Sequence, residues 1–180
     1  MTETATLAGG CFWCLEAVFK RLRGVISVNS GYSGGTDAPN YESVSLGNTG
    51  HAESIQIAFD SHIISYSTLL DVFWKLHDPT TLNRQGADIG TQYRSAIFYH
   101  NSQQKKIAEY SKKELGQKGI YRDPIITQIA QFKNFFSAEE HHQDYYNKNA
   151  ENSYCRIVID PKITKLYKEF DSIVKKSDEI

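Results

Sequence analysis

Two rhythms of apolar residues alternate along the chain. Thr4 to Ala8 is a short extended run leading into Leu15, Val18, Phe19 and Leu22, spaced i, i+3, i+4, i+7 as on one face of a helix. Gly24 closes that helix, and Val25 to Val28 reads as a second strand ended by Gly31, Gly34, Gly35 and Pro39. Residues 29–50 are mostly Gly, Ser, Asn, Thr and Asp, which predicts a long loop of the kind that carries function. Glu53 to Phe59 switches to period two, with Ile55, Ile57 and Phe59 on one face. Tyr66 to His77 is an apolar helix stopped by Asp78-Pro79, and Arg94 to His100 is a buried strand. Asn101 or Ser102 then caps a helix through Leu115, with Ile107, Ala108, Ser111 and Leu115 facing inward. Pro124 to Phe132 offers another strand. Arg156 to Pro161 reads as a strand leading into a last helix, opened by Pro161 and carrying Ile163, Leu166, Tyr167, Phe170, Ile173 and Val174 at helical spacing.

The order β-α-β, then β-α-β, predicts an α/β (α+β two-layer) fold. Its core is a ferredoxin-like split βαβ unit with two helices on one face of a small sheet, joined by extra helices and a C-terminal helical extension. No repeat, low-complexity tract or linker interrupts it, so residues 1–180 are expected to form a single domain with a real core.

Composition narrows the function classes. A net charge of −1 with scattered Lys and Arg argues against a nucleic-acid partner. No apolar run reaches membrane-spanning length, and the first residues lack a secretory signal pattern. Three cysteines are an odd count and a poor disulfide framework, which points to working thiols in a reducing compartment, hence the cytoplasm. A monomer is expected.

Gly9-Gly10-Cys11-Phe12-Trp13-Cys14 places two thiols and two large aromatics at a helix start. Unsatisfied amides and the helix dipole there favour thiolate, so Cys11 is expected to be a nucleophile at neutral pH, although a free cysteine also serves as a small buried hydrophobe. Glu53 shares strand parity with Ile55, so it is expected to point toward the buried face. Its carboxyl would then be desolvated and able to donate a proton near neutrality, unless it lies before the ladder and reaches solvent. Tyr41 and Tyr93 each lie in Gly- or Ser-rich surroundings beside a strand and could donate hydrogen bonds to a polar oxygen or simply pack; Asp88 shares the loop of Tyr93. The aromatics Phe12 and Trp13 beside the thiol suit a small apolar group such as a thioether methyl. A metal site is not expected. Glu139-Glu140-His141-His142-Gln143-Asp144 lacks a ligating spacing, and Cys11 with Cys14 is half of a zinc ribbon without its second pair.

Taken in order, these motifs resemble the A-type peptide methionine sulfoxide reductases. The resemblance is carried by Gly10-Cys11-Phe12-Trp13, Gly31-Tyr32-Ser33-Gly34-Gly35, Tyr41-Glu42-Ser43-Val44 and Gly47-Asn48-Thr49-Gly50-His51-Ala52-Glu53. It continues in Arg84-Gln85-Gly86-Ala87-Asp88, Gly90-Thr91-Gln92-Tyr93-Arg94-Ser95 and His142-Gln143-Asp144-Tyr145. It implies that Cys11 attacks the sulfoxide sulfur and Glu53 protonates the oxygen, which Tyr41 and Tyr93 hold. Phe12 and Trp13 would enclose the S-methyl group of a methionine-S-sulfoxide, free or in a protein. Cys11 would be left as a sulfenic acid, a second cysteine would condense with it, and thioredoxin would reduce the disulfide, with no metal or organic cofactor. Cys155 and Cys14 are the candidates for the second cysteine. Cys155 is favoured, because bonding within Cys11-Phe12-Trp13-Cys14 requires the helix start to adapt. A general protein disulfide reductase using Cys11 and Cys14, and a non-catalytic module that binds methionine sulfoxide, are the alternatives.

Overall fold

The computed structural model describes residues 1–176; residues 177–180, which the single-domain expectation includes, lie outside the described residues. Four long strands form the middle of the sheet: β1 (Thr2–Gly9), β2 (Val25–Ser33), β3 (Ala52–Asp60) and, further along, Ser95–Tyr99. Between them lie α1 (Phe12–Phe19), α2 (Tyr41–Ser45), α3 (Tyr66–Leu76) and the two-residue strands β4 (Arg84–Gln85) and β5 (Asp88–Ile89), which pair with each other. With Ser95–Tyr99 as β6, the chain continues through α4 (Ser102–Gln117), β7 (Gln128–Gln131), β8 (Phe136–Ser137), α5 (Tyr145–Lys148) and α6 (Asp160–Glu169).

The sheet order is β7-β6-β1-β3-β2-β8, and along β6, β1, β3 and β2 each strand is antiparallel to the next. That is the expected split βαβ arrangement, with α1 and α3 as its two helices. Ala5, Leu7, Val28, Ile55, Ile57, Phe59 and Ile97 join one buried cluster with Leu15, Val18 and Phe19 of α1 and Leu69, Leu70 and Phe73 of α3. A smaller cluster of Ala8, Ala52, Ala96 and Phe98 forms separately from it. The edges are less regular: β7 pairs with β6 in parallel through the α4 crossover, and β8 adds only two residues beside β2.

The structure departs from the sequence reading in several places. Residues 29–50 are not one loop. The second strand runs on to Ser33, and Tyr41–Ser45 is a helix with Asn40 and Ser43 in a reciprocal capping box. Gly31 does not break the strand; a Cβ there would lie 2.3 Å from the Phe136 carbonyl oxygen, so glycine is what lets β8 approach. The strand expected over Pro124 to Phe132 shortens to Gln128–Gln131. The first helix ends at Phe19, before Leu22, and the last at Glu169, followed by a 3₁₀ turn over Asp171–Ile173.

The largest change is near the C-terminus. Arg156 to Pro161, expected to be a strand, is helical instead: Cys155–Ile159 winds as a π-helical turn that runs straight into α6. β-Branched Ile157, Val158 and Ile159 suggested a strand, yet Cys155, Ile159 and Leu166 are buried while Ile157 is exposed. A spacing of four and then seven is helical, and packing of that stripe outweighs local preference. This segment and α5 lie against α1. As a result α1 is buried almost all round rather than on one stripe, and even Glu16 is enclosed. Its carboxylate accepts from the Asp144 backbone N–H at 2.9 Å and pairs with Lys20 at 2.9 Å, which fastens the start of α5 to α1.

Candidate active site

The site forms where β1 turns into α1. Gly9 and Gly10 are pinched at this turn. A Cβ on Gly9 would meet Phe73 at 2.8 Å, and one on Gly10, whose φ is +95°, would meet Gln85 at 2.8 Å. Cys11 takes the N-cap position with no side-chain cap bond, and the next amide, Phe12 N–H, donates to Glu53 Oε2 at 3.0 Å. The group that meets the first helical amide is therefore the carboxyl of Glu53 rather than the Cys11 sulfur.

That exchange alters the ionisation expected of Cys11. Burial pushes its thiol well above the usual range, and the neighbouring Cys14 adds to the rise. Cys14 moves the other way: a hydrogen bond from Cys11 holds it down to about 7 against burial, helped by the charge of Lys162. The pair gives up its first proton from Cys14. Glu53 is 2% exposed, pairs with Tyr32 across the β2–β3 ladder, and lies on the helix-covered face with Ile55 and Ile57. Burial pushes its carboxyl up to about 8, in spite of the Phe12 amide, and the nearby charge of Asp88 adds to this. Tyr41 and Tyr93 are likewise raised, first by burial and then by Glu53, so both hydroxyls stay protonated donors.

The aromatic wall is larger than the sequence suggested. Phe12 lies 6.1 Å from Trp13, 6.4 Å from Tyr41 and 5.7 Å from Tyr32, ring centre to ring centre. Tyr145 stacks flat on Trp13 at 3.7 Å and 8°, and His142 packs on Tyr41 at 4.2 Å. Trp13 Nε1 and both ring nitrogens of His142 are buried without a hydrogen-bond partner. Glu139 ties Tyr41 in place, accepting from the Tyr41 backbone N–H at 2.8 Å and from the Tyr32 hydroxyl at 2.9 Å. Asp88 accepts from the Tyr154 hydroxyl at 2.8 Å, and Tyr154 stands edge-on to Trp13. A cleft of about 540 Å³ opens on Cys11 between the Gln85–Asp88 turn and the C-terminal segment, with Tyr154 and Lys162 on its wall.

The fold thus brings Cys11, Phe12, Trp13, Cys14, Tyr41, Glu53, Asp88 and Tyr93 into one neighbourhood. Cys155, next to Tyr154 in the π turn, is fully buried in the same cluster as Cys11 and Cys14, and burial, helped by the charge of Cys14, raises its thiol. Sequence reasoning missed Tyr32, Glu139, His142, Tyr145 and Tyr154. The run from Glu139 to Asp144, dense in metal-ligating residue types, disperses its side chains in the fold, Glu139 to the two tyrosines, Gln143 to the Ser30 backbone and Asp144 to Lys20.

A family model for peptide methionine sulfoxide reductase matches residues 3–174. The chain belongs to that family. The peptide methionine sulfoxide reductase MsrA of Saccharolobus solfataricus is 55% identical over 174 residues, covering 96% of this chain and 97% of the relative. Among solved structures, reduced Mxr1 of Saccharomyces cerevisiae aligns with a TM-score of 0.78 at 37% identity, over 86% of this chain and 89% of that one. Mxr1 in complex with Trx2 aligns with a TM-score of 0.56 at 29% identity, over 80% and 84% of the two chains. The split βαβ fold is the fold of these reductases. Among the described residues no helix is long and apolar enough to cross a membrane.

Proposed function

We propose that this reductase acts on methionine-S-sulfoxide, free or in proteins, with Cys11 as nucleophile and Glu53 as the acid. One observation carries the assignment. Glu53 is buried, retains its proton at neutral pH, and sits at the first amide of the helix that begins with Cys11. As Cys11 Sγ bonds to the sulfoxide sulfur, Glu53 protonates the oxygen and the Cys11 thiol proton replaces the one it gave. The oxygen then passes to Cys11, the S–O bond of the substrate breaks, and methionine leaves beside a Cys11 sulfenic acid. Tyr41 and Tyr93 hold the oxygen throughout, and Phe12 and Trp13 receive the methyl group.

Cys14 is the resolving thiol in this reading. Its support is position: it lies one helical turn from Cys11, and in the reduced protein the two thiols are close enough to share a hydrogen bond. Cys14 Sγ displaces water from the sulfenic acid, and a dithiol then reduces the disulfide. The complex of Mxr1 with Trx2 supports thioredoxin as that dithiol. No metal or organic cofactor enters the cycle. We take residues 1–180 as a single domain acting as a monomer in the cytoplasm, where the three free thiols stay reduced.

Dithiothreitol-driven loss of methionine-S-sulfoxide tests the assignment. Cys11→Ser should abolish turnover. Glu53→Gln should slow it by about 10²-fold or more, and the parent rate should fall above pH 8 as Glu53 ionises while the variant's does not. Turnover by Cys11→Ser, or a Glu53→Gln rate equal to the parent's, would overturn it and favour a binding module.

A further inference from the structure

The cycle above leaves one proton without a destination, that of Cys14 when it attacks the sulfenic acid. Cys14 is held down by the S–H of Cys11, and once Cys11 carries oxygen that S–H no longer exists. The resolving step therefore needs an acceptor of its own.

The structure offers one. The Tyr154 hydroxyl donates its single proton to Asp88 Oδ2 at 2.8 Å, and its oxygen lies 3.8 Å from Cys14 Sγ. With that proton committed to the carboxylate, the contact with sulfur runs the other way, and the Cys14 S–H donates to the Tyr154 oxygen. Cys14, Tyr154 and Asp88 form a chain in which every donor points toward the carboxylate. Burial and the adjacent sulfurs drive the ionisation of Tyr154 far out of reach, so the phenol cannot store charge and can only take one proton as it releases another. Asp88 and Tyr154 both line the cleft that opens on Cys11, from which solvent reaches the carboxyl.

We propose that Tyr154 carries the Cys14 proton to Asp88 during disulfide formation. The Cys14–Cys11 sulfur bond forms as the S–O bond of the sulfenic acid breaks, and the hydroxyl leaves as water with a proton from Glu53. The Cys14 proton moves to the Tyr154 oxygen while the Tyr154 proton moves to Asp88. Asp88 then loses a proton to the cleft and Glu53 regains one, so the sum is one disulfide and one water. The inference rests on Cys14 as the resolving thiol.

The test is a single turnover of reduced full-length protein with one equivalent of methionine-S-sulfoxide and no reductant. Methionine, remaining thiols and mapped disulfide are followed after rapid quenching, with dimedone as the trap for sulfenic acid. In Tyr154→Phe, disulfide formation should slow about 100-fold and the Cys11 dimedone adduct should accumulate, with methionine formation losing at least tenfold less. Asp88→Asn should show the same split, and the double variant should be no slower than Tyr154→Phe alone. A Cys11–Cys155 disulfide in the parent overturns Cys14 as the resolver and the relay with it. A Cys11–Cys14 disulfide that forms at the parent rate in Tyr154→Phe, or an equal fall in both rates, overturns the relay alone.

Discussion

An acid kept protonated by burial lowers the stability of the folded chain wherever the unfolded chain would ionise it. Glu53 titrates at about 8 in the fold and near the ordinary glutamate value, about 4.3, when unfolded. Between those values the unfolded state has released its proton and the native state has not, so stability falls as pH rises through the window and levels off above 8. Glu53→Gln should therefore be more stable than the parent at pH 8, with the gap shrinking toward pH 4; urea unfolding at both values checks it, and a constant gap would contradict it. His77 works in the opposite sense. Burial lowers it to about 4, so stability should drop as pH falls from about 6.5 to 4, a fall that His77→Gln should reduce. The inward direction of Glu53 was legible from strand parity. The ionisation of Cys11 was not, because the amide it was expected to use is taken by a carboxyl group 41 residues away in the chain.

At the scale of elements, caps and fastenings decide where the helices start. Asn101 accepts from the Gln104 amide at the start of α4, and Asn101→Ala should lower stability by about 1 kcal/mol without touching the site. Glu16 does more, because it joins two elements. Glu16→Ala leaves the Asp144 amide without its acceptor and Lys20 with Asp144 alone, which should cost roughly 1–3 kcal/mol in urea unfolding. It should also raise KM for a methionine-sulfoxide peptide, since α5 holds Tyr145 against Trp13. The α4 cap and the period of α3 were readable in advance, each being settled by neighbours in sequence. The π turn at Cys155–Ile159 was not: three β-branched residues in a row give no sign that α1 will cover one side of them.

Across the whole molecule, the strand order β6-β1-β3-β2 followed from the alternation of strands and helices, since split βαβ units leave little choice of connection. The sheet edges and the closing segment depended on distant pairings that local pattern does not encode. That closing segment is structural as well as chemical. Leu166 of α6 is buried in the main core, and Leu166→Ala should destabilise the protein by about 2–5 kcal/mol, measured by thermal or urea unfolding.

The site draws on Cys11 near one end of the chain and Tyr154 near the other, with Glu53 and Asp88 between. During synthesis Cys14, beside the nucleophile, leaves the ribosome 140 residues before Tyr154. For most of that time the nascent chain carries two thiols with no fold around them, open to oxidation. A protein that repairs oxidative damage is thus itself exposed to it until the segment that carries Tyr154 has been made and packed against α1.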